Sequence, residues 1–166
     1  MKAKFISLTF LLMMVCGQSR GGAEELTDVE HLEKGDEVAR EIVSLARESL
    51  WNVNDFSFGK VGEPAELAPG CVALTVLVKY DPEAQSFFEK LYMFSIKPEA
   101  RLYGMAGLLV LDPEAKKRFL PEHIAEHGAE KVQFFVGCLG GETTFADKAN
   151  ELLEGGAGNY LLKVLP

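Results

Sequence analysis

Apolar residues recur at helical spacing along most of the chain, and the stretch that leaves the smallest polar side is Lys97 to Asp112, KPEARLYGMAGLLVLD. Pro98 suits a first helical position, which needs no N–H partner, Glu99 puts negative charge at the positive end of the helix dipole, and Asp112-Pro113 stops the run. Between those limits Leu102, Tyr103, Met105, Ala106, Leu108, Leu109, Val110 and Leu111 leave only Arg101 polar. The pattern predicts a central helix over 98–111, covered by neighbours on nearly every side. Gly104 and Gly107 flatten one side of it. Each glycine costs a helix about 1 kcal/mol, a cost that a second helix packed closely against that side offsets.

Upstream, Thr27-Asp28-Val29-Glu30 has capping-box spacing, and Val38, Ile42, Leu45, Ala46, Ser49 and Leu50 then repeat at helical intervals, with Gly35 dividing a short turn from a longer helix over 36–51. Asn52 to Pro69 is punctuated by Gly59, Gly62, Pro64 and Pro69, yet Trp51, Phe56 and Phe58 are apolar enough to pin it to the body as a cover over the core. Cys71 to Tyr80 reads two ways: β-branched alternation favours a strand, and its place before a run of helices favours a buried helix, which is preferred here. Lys131 to Val136 is a short strand or the start of a helix, so short strands near 71–79 and 132–136 stay open. Gly137 to Gly141 reads as a turn, Thr144 as the cap of a last helix with Phe145, Ala149, Leu152 and Leu153 inward, and Tyr160 to Leu165 as an apolar tail docked on the body.

One formula recurs. Asp81-Pro82-Glu83-Ala84, Lys97-Pro98-Glu99-Ala100 and Asp112-Pro113-Glu114-Ala115 each open an apolar helical segment. Helix, tight turn, helix at such a period is the signature of stacked helical pairs, although three independent good caps read the same way. The passage PEARLYGMAGLLVLDPEA resembles a HEAT-type repeat over about residues 81–124. That resemblance implies stacked α-hairpins with a face that holds another protein.

The 48% hydrophobic content is that of a globular chain, and 166 residues suffice for one domain with a real core. Lys2 and Lys4 before the weakly polar run Phe5 to Cys16 form an export signal, so residues 1–23 are expected to be removed, leaving one mainly helical domain over 24–166 in the bacterial periplasm, the envelope or outside the cell. Met13-Met14-Val15-Cys16-Gly17 resembles a lipoprotein processing site in which Cys16 carries the lipid, although Val15 and Met13 depart from its usual residues. No later segment reaches the ~18 apolar residues that a span needs. The net charge is −8, and removal of Lys2, Lys4 and Arg20 leaves 14 basic residues against 25 acidic, near −11. Such a surface disfavours nucleic acid and anionic lipid as partners. Cys71 and Cys138, each beside a glycine, are a candidate disulfide whose closure would contribute about 4 kcal/mol, or else two buried thiols.

Candidate chemistry is sparse. His123-Ile124-Ala125-Glu126-His127 matches the H-x-x-E-H of inverzincin metallopeptidases, which implies His123 and His127 as zinc ligands, Glu126 as general base and Glu151 or Glu154 as a third ligand. Gly128 ends that helix at once, so two solvated histidines at a helix C-terminus is the competing reading. Cys138 lacks flanking residues that would make it a nucleophile, and Gly137 to Glu142 lacks the Gly-Lys-Ser/Thr ending of a phosphate loop. The expectation is a mainly α, HEAT-like stack around the 98–111 helix, without a cofactor, that binds or assists another envelope protein. The alternative is a small metal-dependent hydrolase using 123–127.

Overall fold

A computed structural model describes residues 28–57, 60–61, 66–112, 114, 121–136 and 139–156. The chain divides into two units, Met1–Lys34 and Gly35–Pro166. In the first, residues 28–34 are helical. The elements in order are α1 (Asp28–Trp51), β1 (Lys60–Val61), β2 (Glu66–Leu67), α2 (Pro69–Tyr80), α3 (Ala84–Phe94), α4 (Pro98–Leu111), α5 (Pro121–His127), β3 (Lys131–Val136), β4 (Leu139–Thr144) and α6 (Phe145–Glu151), which runs into a π-helical turn at Leu152–Gly156. The fold is mainly helical. No helix among the described residues is long and apolar enough to cross a membrane. Residues 1–23, Cys16, Phe58, Cys138 and the 160–165 tail lie outside the described residues, as does most of the third proline-led segment.

The central helix is as predicted. In α4 every residue from Glu99 to Leu108 is buried, including Leu102, Tyr103, Met105 and Ala106. Its glycines set how α3 approaches. A Cβ on Gly104 would lie 2.6 Å from the Tyr92 amide nitrogen and 2.9 Å from the Phe88 carbonyl oxygen, and one on Gly107 would meet the Phe88 ring at 2.5 Å. The two helices therefore touch backbone to backbone, and the contact offsets the low helix propensity of both glycines.

Of the two readings of 71–80 the preferred one holds: Pro69–Tyr80 is a helix, and the alternative strand near 71–79 does not form. Pro69 stands in its first turn, and Gly70, Cys71, Ala73, Leu74, Val76 and Leu77 are all buried. Strand propensity separates residues by ~1 kcal/mol at most, and burial of this broad helical face exceeds it. Thr75 turns its hydroxyl back onto the Cys71 carbonyl at 2.8 Å, so the helix interior accommodates that polar group.

Two further expectations change. Gly35 does not break the first helix, because α1 runs unbroken for 24 residues; one glycine costs less than the good helix formers around it supply. Of the residues expected as a 137–141 turn, Leu139, Gly140 and Gly141 belong to β4, antiparallel to β3 with Lys131 opposite Thr144 and Val136 opposite Leu139. The rings of Phe134 and Phe135 occupy the space over Gly141 and Gly140, which restores cover to a glycine-weakened strand.

The first part of the loop after α1 covers the core through Phe56, whereas Trp51, also expected to pin it, is 41% exposed. Phe56 is buried with its ring edge-on to Tyr103 at 4.9 Å. The Phe56 amide donates to the Gln133 carbonyl at 2.7 Å, and the Phe135 amide donates to Ser57 Oγ at 2.9 Å, so this segment lies along β3. Thr144 caps α6 as predicted, its hydroxyl accepting from the Asp147 amide at 3.2 Å.

Candidate functional site

The polar residues of the 123–127 motif lie where three elements meet. Pro121 opens α5, which carries His123 and His127 one turn apart, and the half-turn after it delivers Glu130 before β3. Arg101 comes from the first turn of α4 and Tyr92 from the last turn of α3. Arg101 is almost wholly buried, its side chain 8% exposed. Its Nε donates to the Ser95 carbonyl at 2.7 Å and its Nη1 to Glu130 Oε2 at 2.8 Å. The other oxygen of Glu130 pairs with His127 Nδ1 at 2.5 Å. His123 Nδ1 shares a hydrogen bond of 3.0 Å with the Tyr92 hydroxyl.

The electrostatics follow from this arrangement. Burial opposes ionisation of Glu130, but the hydrogen bonds from His127 and Arg101 outweigh it and hold the carboxyl below the usual range. Burial lowers the proton affinity of His123, and the neighbouring His127 and Arg101 lower it further, against the pull of Glu126 and Glu130. Burial likewise raises the Tyr92 hydroxyl, so it stays protonated at neutral pH. With Glu130 ionised it accepts from His127 Nδ1–H, leaving Nε2 of that ring as the nitrogen for other partners.

The two histidines named by the motif are thus brought together, with ring centroids 4.8 Å apart. Glu126 is exposed on the same helix. Glu151 is paired with Lys148 at 2.7 Å and Glu154 is exposed, so neither is engaged with the histidines as the motif's third ligand. Among the described residues no three His, Cys, Asp or Glu side chains are grouped to hold a metal ion. Cys71 is buried in α2, and its pairing with Cys138 falls outside the described residues. Sequence reasoning missed Glu130, although its place three residues after His127 was a local signal for it. Tyr92 and Arg101 left no such signal, because only the fold brings them there.

A second feature is the tip of the α3–α4 hairpin. Ile96 is 89% exposed and Phe94 72%, with Met93 and Trp51 also exposed. Lys97 Nζ ties this tip to the loop after α1, donating to the Asn52 carbonyl and to Asn54 Oδ1, both at 2.8 Å. Trp51 stacks obliquely on Phe87, whose ring also receives the Arg47 guanidinium at 5.6 Å. Hydrophobic patterning alone assigns Phe94 to the core with Phe87, Phe88 and Tyr92; the structure leaves it in water. No family model matches the chain, and no curated protein or solved structure matches it either.

Proposed function

We propose that the chain is an exported, non-enzymatic domain that binds a second protein of the cell envelope through the tip of the α3–α4 hairpin. The observation that carries this reading is the exposure of Phe94 and Ile96, with Met93 beside them in the chain also exposed. Withdrawal of a large apolar side chain from water is worth about 1.5–3 kcal/mol, and aromatic anchors of this kind dominate protein interfaces. The Lys97 hydrogen bonds hold the first part of the 52–69 loop beside the tip, so the loop and the hairpin present one surface. The chain carries a net charge of −8, and the complementary partner presents an apolar groove with a basic rim.

The same reading treats α3 and α4 as one HEAT-like hairpin with α2 laid against it, and residues 1–23 as the export signal, with Cys16 as the lipid anchor if processing occurs there. A photo-crosslinking residue at position 93, exposed beside Phe94 and introduced in the producing cell, tests the proposal. One discrete envelope protein is captured by the wild-type tip and lost in Phe94→Ser/Ile96→Ser, while the far-UV circular dichroism of that variant stays helical. Capture that is unchanged in the double variant, or no capture at all, overturns the proposal.

A further inference from the structure

His123 and His127 are spaced so that both imidazoles rise from one face of α5. Their centroids are 4.8 Å apart and their planes meet at 66°. With metal–nitrogen bonds near 2.0–2.1 Å, a ring centroid lies about 3 Å from a bound ion, so two imidazoles sharing one tetrahedral ion stand about 5 Å apart. The pair already has that separation.

The second observation is how each ring is held. His127 Nδ1 meets Glu130, whose other oxygen is fixed by the buried Arg101, itself anchored on the Ser95 carbonyl. His123 Nδ1 meets the Tyr92 hydroxyl. A carboxylate or hydroxyl on one nitrogen of an imidazole sets the tautomer and ring orientation in which the other nitrogen serves as a ligand. A pair of solvated helix-end histidines has no need of such a shell. Both rings keep partial exposure, so an ion can reach them from solvent.

We propose that His123 and His127 bind a divalent late transition-metal ion, Cu2+, Ni2+ or Zn2+, through their Nε2 atoms, with water completing the coordination and Glu130 as a positioning residue. Imidazole nitrogen selects these ions over Mg2+ and Ca2+, which take oxygen. This site is independent of the hairpin-tip interface and stands or falls separately.

Titration of the full chain, purified without a histidine tag, with Zn2+ alone tests it, followed by calorimetry and by the imidazole 15N resonances. Saturable binding of one ion per chain is expected, with the Nε2 signals of His123 and His127 moving and those of His31 unmoved. His123→Gln and His127→Gln each weaken binding at least tenfold, and His31→Gln leaves it unchanged. Glu130→Gln weakens it by about 10–100-fold and shifts the tautomer balance of His127 even without metal, which a loss of packing alone would not do. No one-to-one binding by about 1 mM Zn2+, binding untouched by both histidine variants, or movement of the Nδ1 signals in place of Nε2 overturns the proposal. Should a histidine variant lose its helical circular dichroism, the wild-type 15N shifts decide alone.

Discussion

Tyr103 shows how much one side chain fastens. Its hydroxyl donates to the Ser57 carbonyl at 2.7 Å and accepts from the Ser57 amide at 3.1 Å, deep in the core. Tyr103→Phe leaves both backbone groups buried without that partner, and a loss of about 1–3 kcal/mol in urea unfolding is expected. The same group sets an alkaline limit. Burial pushes its pKa far above the usual value near 10, against the opposing pull of the Ser57 hydrogen bond. The folded chain keeps the proton while the unfolded chain loses it above about pH 10, so this contribution is intact below that pH and declines as pH rises through it. Tyr103→Phe is expected to flatten that decline in thermal melts taken from pH 9 to 11. Arg101 is the other residue whose role sequence alone concealed. It reads as the one polar break in an apolar helix, yet it is buried and pairs with Glu130 and Ser95. Arg101→Leu takes one of two partners from the partly exposed Glu130 carboxylate and leaves the Ser95 carbonyl without its guanidinium donor, with an expected cost of about 1–3 kcal/mol, read from the shift of the urea midpoint.

Among the elements, α4 was legible because its signals are local: a proline at its first position, an acidic first turn and a stop at Asp112-Pro113. The glycine pair further announced a close neighbour, and α3 is that neighbour. Here the usual expectation for helix glycines reverses. In an exposed helix Gly→Ala gains about 1 kcal/mol, whereas Gly104→Ala drives a methyl into the Tyr92 amide and Phe88 carbonyl and is expected to lower the thermal midpoint by overpacking, at about 1–3 kcal/mol. Residues 71–80 were ambiguous for a physical reason. Val72, Val76 and Val78 suit a pleated sheet, and only the burial of the 71, 74 and 77 face, supplied by other elements, decides for helix. β4 was hidden for the opposite reason, its glycines being covered by aromatics from the facing strand.

At the scale of the whole molecule, the sequence conveys a mainly helical body and the pairing of His123 with His127, because both follow from spacing within a few residues. It does not convey the partners of that pair. Tyr92 lies 31 residues from His123, and Arg101 lies 29 from Glu130. Nor does periodicity reveal that Phe94 leaves the core, since its spacing from Phe87 matches that of a buried helix face.

The fastening of Ser57 also bears on the order in which the chain acquires its structure. Ser57 is joined to Tyr103 across 46 residues and to Phe135 across 78, while α3 and α4 meet across a three-residue turn. Closing the larger loops costs more chain entropy before any contact rewards it, so the hairpin forms early and the segment around Ser57 locks late. In stopped-flow chevrons Gly104→Ala is therefore expected to slow refolding, whereas Tyr103→Phe leaves refolding nearly unchanged and quickens unfolding. The Ser57 latch thereby governs how long the native molecule persists rather than how quickly it is made.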